Sequence, residues 1–348
     1  MTTAQHPSGQ AGAVRISVVV PVYKEEMNIR PFLDRLVPVL QKIGTYEIIF
    51  ALDPSPDRTE MVIRDEAAKN PSIGLLLFSR RFGQPAATIA GILNCSGEWC
   101  AVIDVDLQDP PELIETMLTK AEGGFDVVTA RRSSREGETL VKKIVSVIGY
   151  KMINEVSEVP IPRNTGDFRV MSRRVVEELR GLSESHGFLR GLVALVGFPQ
   201  TEVEYVRDAR QAGQGNYNRY FGSLKIGFNG LFGFSTFPLK FMMWTGFTIA
   251  LLSAFAILVV IALKFIRGQD YPLGVPTITV LVLFIGGVQL TAICVLGEYI
   301  GRIYDEVRQR PQYIVRSAVN VQLRDARGPN SGPQLSSVHT PPSHASAA

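Results

Sequence analysis

The chain has 348 residues, 46% hydrophobic and 20% charged, with a net charge of +3 and a mean hydropathy of +0.13. A charge that small, with no basic stripe carrying interleaved aromatics, excludes nucleic acid as a partner, and the positive hydropathy is high for a wholly soluble protein. Cys95, Cys100 and Cys294 are isolated thiols that read as small buried hydrophobes in a reducing compartment, which excludes a disulfide framework.

Residues 1–14 are small and polar, hold no apolar export signal, and read as a disordered N-terminus. Ile16 to Val20 is a continuous β-branched run ending in Pro21-Val22-Tyr23-Lys24-Glu25-Glu26, and Tyr46 to Leu52 is a second, ending in Asp53-Pro54-Ser55-Pro56-Asp57. Ile73 to Phe78 runs into Ser79-Arg80-Arg81-Phe82-Gly83, Trp99 to Val105 leads into a cluster of acids, and Phe125 to Thr129 ends in Ala130-Arg131-Arg132. These runs predict buried parallel strands. The segments Glu25 to Ile43, Thr59 to Lys69, Pro85 to Asn94 and Pro111 to Ala121 are of helical length, and the alternation predicts a doubly wound α/β sheet with right-handed crossovers.

In such a sheet ligands bind beyond the carboxyl ends of the strands. The predicted ends carry Tyr23 and Glu25, Asp53, Arg80 and Arg81, Asp104 and Asp106, and Arg131 and Arg132, a combination that suits a nucleotide. Asp104 and Asp106, with Gln108 two residues on, suit a hard cation such as Mg²⁺ or Mn²⁺ that keeps open positions for phosphate oxygens. A lone D-x-D is also compatible with solvated acids beside a helix start, and Asp109-Pro110-Pro111-Glu112 predicts such a start, with Asp109 as N-cap and Glu112 as capping-box partner. Asp57 in Asp57-Arg58-Thr59-Glu60 reads as a cap rather than a ligand. Asp53 has no such alternative, and a carboxylate there could accept a hydrogen of a base. No glycine is followed by lysine, which excludes a P-loop.

Toward the end of the chain, Tyr217, Phe221, Leu224, Phe228 and Leu231 recur at helical spacing, so 216–236 is expected to form a juxtamembrane amphipathic helix. Phe237 to Ile266 is interrupted only by Lys240 and Lys264, and Val275 to Leu296 has no charge; each exceeds the about 20 residues that cross a bilayer. Residues 237–301 therefore read as a two-helix transmembrane hairpin. Arg219, Lys225 and Lys240 before it and Arg302, Arg308, Arg310 and Arg316 after it outnumber Lys264 and Arg267 at the connection, which puts both termini and residues 15–215 in the cytosol, on the inner or plasma membrane. Residues 302–348 are expected to be a cytosolic tail, disordered at its end.

The segments Val19 to Glu26, Ser79 to Gly83, Asp104 to Pro111, Gly166-Asp167-Phe168-Arg169-Val170-Met171 and Gly297-Glu298-Tyr299-Ile300-Gly301-Arg302-Ile303-Tyr304, in that order, resemble the membrane-attached polyprenyl-phosphate glycosyltransferases of glycosyltransferase family 2. That group includes dolichol-phosphate mannose synthase and the undecaprenyl-phosphate glucosyltransferases. The resemblance implies a GT-A fold and inverting transfer of a sugar, of the UDP-glucose kind, from a nucleotide diphosphate sugar to a polyprenyl phosphate for cell-envelope glycan modification. The lipid bilayer is then a partner, and self-association as a homo-oligomer stays open. It aligns Asp104, Asp106 and Gln108 with the metal and diphosphate site, Pro21, Tyr23, Glu25 and Asp53 with the nucleoside pocket, and Asp167 with an acid of the sugar site. Arg81 joins the nucleotide-sugar residues, and Asp106, Asp167 and Arg131 are the expected catalytic groups. The chain departs from the family at Leu52-Asp53-Pro54-Ser55, which keeps one acid of a usual pair, and at Asn216-Tyr217, where a lysine is common.

A phosphate monoester is largely dianionic at neutral pH and attacks without a strong general base, so leaving-group stabilisation and an acceptor cradle are the main needs. Arg131, Arg132, Lys142, Lys143, Arg207 and Arg210 are candidates for that cradle, Arg131 first. Two other classes compete: a processive polysaccharide synthase and a non-catalytic membrane scaffold or flippase component. The first would carry a Gln-x-x-Arg-Trp segment, yet neither Trp99 nor Trp244 follows an arginine. The second needs intramembrane polar groups, and Gln289 is the only strongly polar residue in the middle of the second span.

Overall fold

The computed structural model describes residues 14–132, 165–182, 189–206, 241–249, 275–308 and 310–324, with single positions between 239 and 266. Strands β1 (Ile16–Val22), β2 (Tyr46–Leu52), β3 (Ile73–Phe78) and β4 (Trp99–Val102) alternate with helices α1 (Ile29–Ile43), α2 (Thr59–Lys69), α3 (Gln84–Asn94) and α4 (Leu113–Glu122). Then follow β5 (Val127–Arg132), β6 (Thr165–Ser172), α5 (Arg173–Gly181), α6 (Leu189–Val196), β7 (Gln200–Tyr205), α7 (Val275–Val307) and β8 (Val315–Val319). All eight strands form one sheet in the order β7-β5-β6-β4-β1-β2-β3-β8.

β1 sits between β2 and β4, parallel to both, and every one of its residues is buried. That is what a continuous β-branched run predicts for a strand covered on both faces. The sheet is nevertheless mixed. β6 runs antiparallel to both β4 and β5, and β8 antiparallel to β3. The expected fifth strand thus keeps the parallel direction but is separated from β4 by β6. This matters for the site, because the amino end of an inserted antiparallel strand lies at the carboxyl end of its neighbours. With Val102 opposite Arg169, the start of β6 at Thr165, Gly166 and Asp167 reaches the edge where β4 ends.

Two apolar layers hold helices on the sheet. On one face Val18, Val20, Phe50, Leu52, Val128, Ala130, Phe168 and Val170 pack with Phe32, Leu36, Ile63, Ile114 and Met117 from α1, α2 and α4. On the other, Val19, Ile49, Leu76, Cys100, Val127 and Met171 pack with Ala90, Ile92, Val176 and Leu192 from α3, α5 and α6. Gly91 permits this second layer to close, since a Cβ there would lie 2.2 Å from Val19 Cγ1. The buried thiols of Cys95 and Cys100 share a hydrogen bond, which together with burial pushes Cys100 up.

The expected start of α4 is corrected. Helix α4 begins at Leu113 with Glu112 at its N-cap, three residues beyond the expected cap at Asp109. The hydrogen-bonded turns Leu113 N–H to Pro110 O and Ile114 N–H to Pro111 O absorb the prolines, while Glu112 is held by both donors of the Arg35 fork. Asp57 does accept from the backbone and hydroxyl of Thr59, as a cap-like turn.

α7 is 33 residues long, about 50 Å at 1.5 Å per residue, which exceeds a hydrocarbon core of about 30 Å. Among the described residues it is the one helix long and apolar enough to cross a membrane, where the most apolar 18 residues within Phe284–Val307 have a mean hydropathy of 1.4. The Gly297 to Tyr304 motif lies within it rather than after it. Most of the first expected span lies outside the described residues; its described part, 241–249, is helical and exposes Phe241, Met243, Trp244 and Phe247. The expected juxtamembrane helix at 216–236 and the segments 1–13 and 325–348 also lie outside the described residues.

The reading of 302–348 as a tail is corrected at β8. After α7 the chain returns to the sheet, where Ser79 N–H donates to Ile314 O and the Tyr313 ring lies 5.9 Å from Phe78. Asn320, in a left-handed conformation at φ 53°, donates to Ala67 O and Ile73 O at 2.9 Å each.

Candidate active site

The loops leaving β1 to β4 gather on one edge of the sheet. Pro21 lies within β1 opposite Ala51, and the loop beyond it turns sharply at Lys24, whose φ is 58°. The turn is pinned to the β2–α2 loop by Lys24 N–H to Ser55 Oγ and Glu25 N–H to Thr59 Oγ1, both 3.0 Å, while Glu25 accepts from Asn28 Nδ2. The Arg81 guanidinium lies 4.0 Å over the Tyr23 ring, joining the β1 and β3 loops through a cation–π contact.

Asp53 has a role that its sequence context did not reveal. It is 2% exposed, and its two oxygens accept the backbone N–H groups of Phe82 and Gly83 at 2.9 Å each. This bidentate clasp fixes the Arg80–Gly83 loop against β2, with Gly83 at φ +94° supplying the turn into α3. Each carboxylate oxygen has a second lone pair beyond these bonds.

Asp104 and Asp106 follow β4 directly. Asp104 Oδ1 accepts from Gln84 Nε2 at 2.9 Å, and Asp106 Oδ1 accepts Gln108 N–H at 3.2 Å. Between Asp106 and Gln108, Leu107 is buried at φ 57°, a conformation costing a non-glycine residue roughly 1–2 kcal/mol. Strain of this kind concentrates where a loop is held for function. Among the described residues no three His, Cys, Asp or Glu side chains converge to cage an ion. Two carboxylates and an amide on one short loop instead fit a hard cation completed by phosphate oxygens.

The pleat of β5 separates its terminal arginines. Arg131 faces Glu202 and Glu204 of β7, at 3.1 and 2.6 Å. The first choice for the acceptor cradle thus has its guanidinium engaged by two glutamates of β7. Arg132 faces the other way, where its Nε donates to Tyr205 Oη at 3.3 Å and its Nη2 lies 4.0 Å from Asp109. Tyr205 donates to Asp109 Oδ1. Burial works against the Arg132 charge, but Tyr205, Asp109 and Asp104 more than offset it. Burial and Asp109 push the Tyr205 phenol up to about 12, so it keeps its proton at neutral pH.

Asp167 is bound by Arg190 at 3.1 Å and lies 3.8 Å from Arg169. Burial would raise its carboxyl, yet Arg190 and Arg169 hold it below the usual carboxylate range. The fully buried Arg169 is pushed down to about 10 by desolvation and keeps its charge. Tyr205, Asp109 and Arg190 contact the candidate residues Arg132 and Asp167, and sequence reasoning missed them in that role. The alternation of Thr201, Val203 and Tyr205 marks β7 in retrospect. Lys142, Lys143, Arg207 and Arg210 lie outside the described residues.

A family model described as glycosyl transferase family 2 matches residues 17–180. An uncharacterized glycosyltransferase of Synechocystis is 43% identical over 307 residues, 87% of this chain and 95% of its own. The SfII prophage-derived bactoprenol glucosyl transferase of Shigella flexneri is 40% identical over 307 residues, 88% of this chain and 98% of its own. Among solved structures, a mannosyltransferase of Pyrobaculum calidifontis in complex with GDP-Man and Mn²⁺ aligns at 16% identity with a TM-score of 0.45, over 82% of this chain and 87% of its own.

Proposed function

The chain belongs to glycosyl transferase family 2, and we propose that it transfers a hexose from a nucleoside diphosphate sugar, of the UDP-glucose kind, to a polyprenyl phosphate with inversion. The observation that carries this reading is the 40% identity along 98% of a bactoprenol glucosyl transferase, a match that runs through the apolar helices as well as the sheet. The product would serve modification of a cell-envelope glycan.

Asp104, Asp106 and Gln108 would hold Mg²⁺ or Mn²⁺, which when bound draws charge from the leaving diphosphate as a Lewis acid. Tyr23, Arg81, Asp53, Glu25 and Pro21 form the nucleoside side of the edge, and Asp53 keeps the Arg81 loop in place for it. Arg132 faces the phosphate oxygens in place of Arg131. The acceptor phosphate attacks the anomeric carbon as the bond from that carbon to the diphosphate breaks, so no proton need be removed from the nucleophile. Asp167, kept ionised by its arginines, accepts a hydroxyl hydrogen of the sugar and orients it.

Strand connectivity supports the membrane hairpin. β7 and β8 belong to one sheet, so the chain between residues 206 and 314 leaves and returns to the same side of any bilayer. If α7 crosses, parity requires a second crossing, and Phe237 to Ile266 is the apolar stretch available for it. Both termini and the catalytic sheet then share the cytosolic side.

The reading is tested by incubating the full-length protein in vesicles with a panel of nucleotide sugars and a polyprenyl phosphate, then weighing the lipid product. A gain of one hexose from one donor is expected. No hexosylated lipid with any donor would reject the reading.

A further inference from the structure

A buried phenol and carboxylate meet a half-buried guanidinium beside the acidic loop. The Tyr205 ring stands edge-on to Phe168 at 6.3 Å, its hydroxyl donates to Asp109, and Arg132 Nε donates back to that hydroxyl at 3.3 Å. Asp109 is 2% exposed and Tyr205 7% exposed, while Val128, Ala130, Phe168 and Val170 line the same sheet face. Apolar residues of the same volume would stabilise that position at least as well as a desolvated ion pair, so stability alone does not account for the network.

Its geometry does. Gly166, at the amino end of β6, lies against the guanidinium, and a Cβ there would come within 3.2 Å of Arg132 Nη2. The Arg132 head is thus confined by Tyr205, Asp109 and the bare backbone of Gly166. It is also within electrostatic reach of Asp104 on one side and Asp167 on the other. A phosphate oxygen entering between the acidic loop and β6 meets this cation.

We propose that Tyr205 is a positioning residue for transfer: through Asp109 and directly, its hydroxyl fixes the Arg132 guanidinium between the Asp104 loop and the start of β6, ready for a phosphate oxygen. This rests on the transferase reading above. An unoriented arginine would have to be ordered during the reaction, whereas a preorganised one acts without that cost. The phosphate belongs either to the donor diphosphate or to the lipid acceptor, which share the same chemistry.

The test uses full-length protein in vesicles, with each variant compared to wild type on whichever acceptor wild type uses, polyprenyl phosphate or water. Failure of the lipid reading therefore leaves the proposal measurable. Tyr205→Phe keeps the ring against Phe168 and is expected to lower kcat about ten-fold, the loss of one hydrogen bond to a charged group. Arg132→Lys is expected to lower it at least as much, and the double variant no further than Arg132→Lys alone, because both changes remove one oriented cation. Gly166→Ala, whose Cβ would crowd Nη2 by a few tenths of an ångström with the hydroxyl in place, is expected to lower kcat by less than Tyr205→Phe. A KM rise confined to the lipid assigns the oxygen to the acceptor, and one confined to the nucleotide sugar assigns it to the donor. Wild-type kcat in both Tyr205→Phe and Gly166→Ala, or losses that multiply in the double variant, would overturn the proposal.

Discussion

Arg131 and Arg132 are equivalent in composition and adjacent in sequence, and what distinguishes them is a pleat. Successive strand residues face opposite sides of a sheet, so whichever arginine faces Asp109 cannot be the one that faces Glu202 and Glu204. Arg132→Ala is accordingly expected to reduce transfer by about a hundred-fold or more, through loss of a charge-assisted contact to phosphate. Arg131→Ala removes half-exposed pairs worth about 0–1 kcal/mol and should leave the rate within about three-fold. Steady-state rates of the two variants decide, and equal losses would return Arg131 to the site. Which of the two faces Asp109 was not legible in the sequence, because the face depends on a register set by β6 and β7.

Asp167 makes a second residue-scale prediction. Its folded carboxyl titrates below its unfolded value, so it contributes stability in full above the unfolded pKa of about 3.9 and loses it as pH falls through the folded one. The side chain is 36% exposed, which discounts the contribution to about 1 kcal/mol from the larger value of a fully buried pair. Asp167→Asn should therefore melt a few degrees lower, with a gap from wild type that is constant between about pH 8 and 5 and narrows below about pH 4. A gap that widens in acid would contradict the assignment of Arg190 and Arg169 as its partners.

At the scale of elements, legibility followed burial. The continuous apolar runs of β1, β2 and β3 were found with nearly their true bounds, and α2 to the residue, because strands covered on both faces have little sequence freedom. The elements that escaped are those whose side chains are half polar or whose neighbours are distant in the chain: β6 is antiparallel and non-local, β7 alternates glutamate with apolar residues, and β8 follows the apolar helix among charges. The capping signature at Asp109 misplaced the helix start for a different reason: the helix begins three residues later than expected, and Asp109 Oδ1 accepts from a tertiary partner, Tyr205. β8 makes the missed information testable. Asn320 satisfies two carbonyls while adopting a left-handed backbone, which asparagine tolerates better than alanine. Asn320→Ala should cost about 2 kcal/mol from lost hydrogen bonds and backbone strain, and Asn320→Gly less, as read by thermal melting in detergent. Equal melting of both variants and wild type would mean that the strand is not held on β3.

At the scale of the whole molecule, the apolar helix α7 lies in the chain between two strands of one sheet, β7 and β8. Cutting the chain before Phe237 removes β8 and the Tyr313 contact to Phe78 along with the apolar segment, so simple truncation confounds the proposed membrane attachment with an open β3 edge. Replacing residues 237–309 with a flexible linker that keeps 310–324 separates the two. That variant is expected to bind nucleoside diphosphate like the intact protein, because Tyr23, Asp53, Arg81 and the Asp104 loop are supported from within the sheet. It should also melt above the simple truncation, since an unpaired β3 edge invites association and loses the packing of β8. On the proposed membrane reading, transfer to a short, water-soluble polyprenyl phosphate should survive and transfer to a long-chain acceptor in vesicles should fall by orders of magnitude, because the removed segment would no longer hold enzyme and lipid phosphate in the same plane. Undiminished transfer to the long-chain lipid by the linker variant would show that the apolar helices serve something other than access to the acceptor.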